Sequence, residues 1–348
     1  MKSSLHYIYN IVWSACALLT LCSLSACITE DVEPDTQTGN FLACWKALDE
    51  NYCFFGEKGE EFGLDWNEVK TRYMARISEG MTDEQLFEVL ASMVCELRDG
   101  HVNLYANHDV ARYGAWFDDY PANYSDTLQR IYLGRSEDYR QTASLVYKIL
   151  PDNLAYVRCS TFGSQFGDGN LGELMRQVAT CDGMILDVRS NGGGQLAAAQ
   201  KLASLFINEK QTLYYISHKT GRAHDALSAP RGVEVAPFEG LRWQKPVCVL
   251  TNRRTYSAAN TFAMMLKGLP GVTLVGDRTG GGAGMPFATE LPNSWTLRFS
   301  ACPMYDRQML CGEEGITPDV AVNLTDEDAA RGKDTIIETA RALLKAEH

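Results

Sequence analysis

One serine lies where a hydrolase would place its nucleophile. Ser257 comes directly after a predicted buried strand at residues 247–250, and it opens a predicted helix at residues 258–266. The first N–H groups of a helix have no partner within it, so the amide of Ala258 is directed toward negative charge that develops beside Ser257. A serine at a helix start is more often only a capping residue, and both roles stay open here.

A glycine-rich loop offers a second donor for the same charge. Residues 192–194 are three glycines that follow a predicted strand at residues 184–186. A backbone without side chains can approach a ligand closely and turn its N–H groups outward, which is the requirement for an oxyanion hole. A tight turn between strand and helix is the alternative role. A phosphate-binding loop is excluded, because no Gly-Lys-Ser/Thr sequence follows.

The base that must activate such a serine is sought among six histidines. His101 lies at the junction between a predicted helix and an alternating, strand-like segment, which makes it the candidate base. By itself, a histidine at such a junction is also explained as a structural residue. The other five lie at the chain ends or in polar, loop-like surroundings: His6, His108, His218, His224 and His348.

The elements that position these residues fall into two groups. Residues 41–99 carry apolar side chains three and four positions apart and are predicted to be helical. The last of these helices begins with a capping box, Thr82 with Gln85, and Gly100 lies where a left-handed cap would end it.

Beyond His101, strands alternate with helices. A hairpin is predicted at residues 145–158, followed by the strands before the glycine loop and before Ser257, another strand at residues 272–275 and a final helix capped by Asp334. This order predicts a layered α/β protein with a mostly parallel sheet, whose sites lie in loops at the carboxyl ends of the strands.

The N-terminus predicts export. Residues 11–24 are mostly apolar and end in Leu-Ser-Ala-Cys at residues 24–27, the order of a bacterial lipoprotein signal. Residues 1–26 are therefore predicted to be cleaved, Cys27 to carry lipid and residues 27–40 to form an acidic tether. The predicted location is the outer membrane of a Gram-negative bacterium, facing the periplasm or the surface. An ordinary signal peptide or a single anchor helix is the alternative.

Composition excludes several classes of function. The net charge of −12 argues against a nucleic-acid-binding surface, which needs a basic patch. No apolar run after the first 26 residues is long enough to span a bilayer. No CxxC pair or histidine spacing suggests zinc, so neither a metal nor a cofactor is predicted. Eight cysteines remain beyond Cys27, and sequence alone does not pair them.

Taken together and in order, these motifs resemble the C-terminal-processing and tricorn family of serine peptidases. Four segments carry the resemblance: residues 97–101 (Leu-Arg-Asp-Gly-His), 186–194 (Leu-Asp-Val-Arg-Ser-Asn-Gly-Gly-Gly), 255–259 (Thr-Tyr-Ser-Ala-Ala) and 315–319 (Gly-Ile-Thr-Pro-Asp). The resemblance implies a crotonase-like α/β core at residues 101–348 and a small helical domain at residues 41–100. The interval between His101 and the hairpin is too short for the PDZ domain of many relatives.

Departures from the family pattern indicate the branch. Gly282 stands where the processing peptidases have a lysine, which excludes a Ser–Lys dyad. The tricorn-like branch instead implies Ser257 as nucleophile, His101 as base and Glu313, or its neighbour Glu314, as the carboxylate that orients the base.

In this branch the N–H groups of Gly193 and Ala258 are implied to form the oxyanion hole. Gly100 stands where tricorn has a serine, and Asn260 stands where many relatives have an acid. The resemblance thus implies an exported, lipid-anchored serine peptidase that acts on peptides or proteins. A non-catalytic member of the same fold that binds peptides or lipids is the alternative, and acyl-CoA chemistry is a more distant one. The oligomeric state is left open.

Overall fold

The computed structural model describes residues 33–346, so the predicted signal segment and Cys27 lie outside the described residues. The helices are α1 (Gln37–Asn51), α2 (Phe55–Phe62), α3 (Trp66–Met74), α4 (Asp83–Cys95), α5 (Ala115–Asp118), α6 (Asp126–Leu133), α7 (Asp168–Val178), α8 (Leu196–Ala203), α9 (Ala258–Leu266), α10 (Asp326–Ala330) and α11 (Thr335–Ala346). The strands are β1 (Asn103–Tyr105), β2 (Val110–Arg112), β3 (Arg140–Thr142), β4 (Leu145–Ile149), β5 (Leu154–Cys159), β6 (Gly183–Asp187), β7 (Gln211–Ile216), β8 (Arg231–Val235), β9 (Val247–Thr251), β10 (Val272–Gly276), β11 (Gly284–Glu290), β12 (Thr296–Tyr305) and β13 (Val320–Ala321).

A seven-stranded sheet forms the centre of the molecule. Its order is β13-β10-β9-β6-β5-β4-β3, and the pairs from β13 to β5 are parallel, while β4 and β3 add an antiparallel edge. The predicted hairpin is β4 with β5, and β6 and β9 lead into α8 and α9 as predicted. Parallel strands place their carboxyl ends at one edge, so the loops after β6 and β9 are neighbours.

Apolar side chains on the two faces of this sheet enter two different cores. Met184 and Leu186 of β6 pack with α7, α8 and α9, whereas Ile185 between them packs against Ile336 and Leu344 of α11. Successive side chains of a strand point to opposite faces, so a strand covered on both sides is apolar throughout. This confirms the predicted layered α/β class.

The helices α1 to α4 pack on a second sheet of antiparallel strands. That sheet has the order β2-β1-β12-β7-β8, with β11 also paired to β12. Apolar residues of the helices, such as Phe41 and Leu48, share one buried cluster with Leu297 and Phe299 of β12. The helical unit therefore has its core in common with the sheet.

The start of the helical unit differs from the prediction. Helix α1 begins at Gln37 and not after residue 40, because the Thr36 side chain accepts a hydrogen bond from the Gly39 amide and caps the helix there. The helix therefore starts a few residues before the predicted boundary between tether and helical domain.

The end of α4 also differs from the prediction. Thr82 and Gln85 form the predicted capping box, but the helix ends at Cys95. The left-handed residue that follows is Arg98, with φ of 48°, and not Gly100. A glycine is required at position 100 because the side chains of Trp116 and Tyr256 lie close to it.

No helix within residues 33–346 is long and apolar enough to cross a membrane.

Candidate active site

Ser257 occupies a strained turn between β9 and α9. Its φ and ψ are 57° and −125°, a region that residues with a side chain rarely adopt, and its side chain makes no capping hydrogen bond. A capping serine would have extended backbone and would accept a hydrogen bond from the first turn. The capping role is therefore excluded. Strain of this kind is concentrated at functional sites, where surrounding structure holds it in place.

His101 lies against this serine, 156 positions away in the sequence. Its Nε2 is 2.9 Å from the Ser257 Oγ, and the residue is 2% exposed. Burial lowers the pKa of His101 to about 4, assisted by the positive charge of Arg298, while Asp99 and a weaker interaction with the backbone of Gly284 act in the opposite direction. The imidazole is therefore neutral at pH 7, the form in which it can accept a proton.

Two aromatic rings cover the outer side of the pair. Tyr256 lies against the His101 ring with centroids 4.9 Å apart, and Trp116 stacks on Tyr256 at 4.1 Å. A Cβ on Gly100 would lie 2.7 Å from Trp116 Nε1 and 2.8 Å from Tyr256 Oη. Any other residue at position 100 would displace these rings, which explains the glycine found where tricorn has a serine.

The glycine loop approaches Ser257 as predicted. Gly193 has φ of 96°, and a Cβ there would lie 2.8 Å from both the Ala258 nitrogen and the Ser257 Cβ. The Ala258 amide has no acceptor among the described residues. The Gly193 amide, however, donates to Asn191 Oδ1 at 2.9 Å. The structure therefore brings both predicted oxyanion donors to the site, with one available and one already engaged.

The predicted contact between Glu313 and His101 is not formed. Glu313 is buried, but its Oε2 accepts a hydrogen bond from the Ala283 amide at 2.9 Å. His101 Nδ1 is buried and has no hydrogen-bond partner in the described part of the chain. Burial raises the pKa of Glu313 well above its ordinary value, and the Asp99 carboxylate raises it further.

The alternative carboxylate, Glu314, points elsewhere. It is 2.7 Å from the ammonium group of Lys58, a buried residue of α2, and its side chain is partly exposed. Of the two candidates in this pair, Glu313 is the one that faces the interior of the site.

Asn260 holds the closing segment against α9. Its Oδ1 accepts from Thr279 Oγ1 at 2.6 Å, and its Nδ2 donates to the Gly312 carbonyl at 3.1 Å. A carboxylate could not make the second of these bonds, because it has no N–H to donate. The amide at this position is therefore explained by packing of the segment that carries Glu313.

A cavity of about 460 Å³ opens beside the glycine loop. Its lining combines the aromatic rings of Trp116, Phe117 and Tyr124 with the charged side chains of Asp126 and Arg254. A second cavity of about 600 Å³ shares Tyr124 and extends the groove along the ends of the strands. Together they have the size to hold side chains of an extended peptide.

Within residues 33–346 no group of three or more His, Cys, Asp and Glu residues could hold a metal ion.

Sequence comparison assigns the family. Residues 153–322 match the profile of peptidase family S41, and residues 34–95 match that of the tricorn protease C1 domain. A crystal structure of a candidate peptidase from Parabacteroides merdae is 43% identical, with a TM-score of 0.85 over 89% of this chain and 97% of that one. The chain belongs to peptidase family S41, whose profile spans the β5-to-β13 core that carries Ser257 and Glu313.

More distant relatives are similar in sequence over part of their length or in fold alone. The carboxy-terminal processing protease CtpA of Bacillus subtilis is 29% identical over 41% of this chain and 29% of its own length. The chloroplastic C-terminal processing peptidase of Tetradesmus obliquus is 30% identical over 37% of this chain and 26% of its own. The chain thus matches less than a third of these curated relatives. Mature CPAF, solved with lactacystin, shares the fold at 12% identity, with a TM-score of 0.69 over 90% of this chain and 98% of that one.

Several features of the site could not be recognised in the sequence. Asp99 was visible only as part of the motif around His101, and no local signal singled out Trp116 or Lys58. Each owes its place in the site to contacts between distant segments of the chain.

Proposed function

We propose that the protein is a serine peptidase in which Ser257 attacks the substrate carbonyl and His101 moves the proton. The contact of 2.9 Å between His101 Nε2 and Ser257 Oγ, on a strained turn at a helix start, is the observation that carries this proposal. It is the geometry of a nucleophile with its base. Family membership supports the same reaction class.

The proposed reaction has two halves. Ser257 Oγ forms a bond to the carbonyl carbon as its proton passes to His101 Nε2, and the carbonyl oxygen becomes an anion beside the Ala258 amide. When this intermediate collapses, the C–N bond breaks and the leaving amine takes the proton from Nε2. Water then attacks the acyl-enzyme, with His101 accepting its proton and returning it to Ser257.

The proposal also assigns roles to the Gly193 amide, as a second oxyanion donor, and to Glu313, as the carboxylate that orients His101. The Gly193 amide would join the oxyanion hole if its peptide plane turned away from Asn191, a buried side chain that also donates to the Cys159 carbonyl. Glu313 is proposed to orient His101, because it is buried and Nδ1 has no partner among the described residues. To reach Nδ1, its carboxyl group would have to give up the amide of Ala283, which directly precedes β11.

The proposal is tested with a fluorophosphonate probe and a fluorogenic peptide library. We expect the probe to label Ser257, and Ser257→Ala to lose labelling and at least about 10³-fold in peptide hydrolysis with an unchanged thermal unfolding temperature. Ser190→Ala is the matched control, because Ser190 is also a serine at positive φ near the glycine loop. Labelling that persists in Ser257→Ala, or equal turnover by that variant, would contradict the proposal.

A non-catalytic binding protein of the same fold is the second candidate. Two observations favour it: His101 Nδ1 lacks a partner among the described residues, and the Gly193 amide is engaged by Asn191. No labelling of a folded protein that binds peptides or lipids would support this function.

We also propose export and lipid anchoring at Cys27, from the signal pattern at residues 11–27. Metabolic incorporation of a palmitate analogue into the wild-type protein, and its loss in Cys27→Ala, is the expected result. Equal incorporation by both, or by neither, would contradict it.

A further inference from the structure

A second buried carboxylate lies closer in sequence to the proposed base than Glu313 does. Asp99 is 1% exposed and two residues before His101. Its Oδ1 accepts the His101 amide at 2.6 Å, which closes a local turn around the histidine. The conformation of the backbone that presents the imidazole therefore depends on this carboxylate.

Asp99 is itself held from the other side by the antiparallel sheet. Its Oδ2 accepts a hydrogen bond from Ser300 Oγ of β12 at 2.7 Å. The Ser300 carbonyl in turn accepts the amide of Cys53, at the start of the α2 region, at 3.1 Å. The carboxylate is thus held by the His101 amide on one side and by Ser300 of a distant strand on the other, so it cannot rotate away without breaking a buried hydrogen bond.

The groups that face the His101 ring are few. Asp99 is the anionic one, Arg298 of β12 is the cationic one, and Tyr256 and Ser257 are neutral neighbours. Glu313 and Lys58 lie one step further back, in contact with Ala283 and Glu314 respectively. Asp99 and Arg298 act on the charge of His101 in opposite directions.

We infer that Asp99 is a positioning residue for His101, which fixes the backbone that carries the imidazole and stabilises the imidazolium formed when Ser257 gives up its proton. This inference rests on the proposed peptidase function. Asp99 touches the His101 amide and not the reacting atoms, so its effect on the reaction passes through the histidine. Glu313 remains the group proposed to orient Nδ1, whereas Asp99 acts on the backbone of His101 and on the charge of its ring.

The test uses two substitutions whose effects on one imidazole have opposite sign. Asp99→Asn removes the charge that favours the protonated ring, so the pKa of His101 should fall, by about one unit. Arg298→Gln removes the charge that disfavours it, so the pKa should rise. Asp306→Asn is the matched control, because Asp306 accepts the amide two residues ahead in the same way but lies outside the site.

The pKa is read without any reaction, by NMR of ¹³C,¹⁵N-labelled histidine in the Ser257→Ala background. Near the midpoint of the parent's titration, expected at about pH 4, the protonated fraction should be lower in Asp99→Asn and higher in Arg298→Gln. Asp306→Asn should match the parent. A ring that titrates alike in Asp99→Asn and the parent would overturn the inference, whether or not the protein is a peptidase.

Activity supplies the second readout. We expect Asp99→Asn to lower kcat by about 10- to 100-fold with little change in KM, and to move the acid limb of kcat/KM to lower pH. Ser300→Ala should reproduce a smaller part of that loss. A purely structural role predicts instead that both substitutions lower the unfolding temperature while the acid limb stays in place, and that result would also overturn the inference.

Discussion

Two clusters of buried polar side chains flank the glycine loop, and they differ in how completely their groups are paired. In one, the Arg189 guanidinium binds Asp187 through Nε and Nη2, at 3.0 and 2.7 Å, and Asp334 through Nη1, at 2.9 Å. In the other, His101 Nδ1 and the hydroxyl of Tyr256 are buried without a partner among the described residues.

This difference separates a structural cluster from a functional one. The Arg189 cluster ties the end of β6 to the start of α11, and Asp334 also caps that helix by accepting from the Ile336 amide. It holds the base of the glycine loop in one position. The cluster around His101 keeps unsatisfied groups inside the protein, which costs stability and is typical of sites that complete their hydrogen bonds with a substrate.

Breaking the paired cluster should have the largest effect on stability. Arg189→Met leaves two buried carboxylates without their shared cation, and we expect a loss of about 3–5 kcal/mol in the free energy of unfolding. Arg341→Met is the matched control, because Arg341 also binds two carboxylates, Asp152 and Glu338, but is partly exposed. That change should cost less than about 1 kcal/mol. Equal losses in urea unfolding would show that burial does not distinguish the two clusters.

Changing the loop that joins the two clusters should affect activity more than stability. Gly193→Ala places a methyl group 2.8 Å from the Ser257 Cβ at a φ that alanine avoids, so we expect about a 100-fold loss of peptide hydrolysis. Gly192→Ala is the control, since no atom lies within 4 Å of a Cβ there. If kinetic assays give the same activity for both variants, the close approach of the loop does not matter for the reaction.

The smallest expected effect concerns Glu313, the buried carboxyl group proposed to act on His101 in the incompletely paired cluster, and it depends on pH. Burial raises the pKa of Glu313, so the folded chain holds its proton more tightly than the unfolded chain. Its contribution to stability is present at low pH and is lost as pH rises above the unfolded value of about 4.5. Glu313→Gln should therefore unfold at a higher temperature than the wild type at about pH 8, and at a similar temperature at about pH 4.

The neighbouring carboxyl should behave in the opposite way. Although burial opposes it, Lys58 lowers the pKa of Glu314, so the contribution of Glu314 to stability is present at neutral pH and is lost as pH falls. Glu314→Gln should consequently lower the unfolding temperature at neutral pH. Thermal melts that shift in the same direction for both variants would contradict the opposite pKa shifts of these two carboxyl groups.

Local patterns in the sequence predicted most of the elements because those patterns act locally. The capping box at Thr82, the helix opened by Ser257 and the hairpin of β4 with β5 depend on residues a few positions apart, and the structure contains all three. The pairing of His101 with Ser257 was predicted from the resemblance and is the contact that the structure forms.

The contacts that the sequence did not predict are long-range contacts, in which one side chain could bind any of several partners. Arg189 pairs with Asp334, 145 positions away, and no local signal distinguishes Asp334 as an ion partner from Asp334 as a helix cap. Glu313 was expected at His101, but its carboxyl oxygen accepts the Ala283 amide instead. Side-chain pairing of this kind is decided by the packing of whole segments and not by spacing along the chain.

The order of His101, Ser257 and β12 along the chain determines when the candidate active site can form during synthesis. His101 is held by Asp99, which is anchored by Ser300 on β12, so the histidine is fixed only after the ribosome has passed Ser257 and made that strand. An unfinished chain thus carries both His101 and Ser257 before the contacts that hold the histidine exist. Assembly of the candidate site is therefore coupled to the folding of the antiparallel sheet that contains β12.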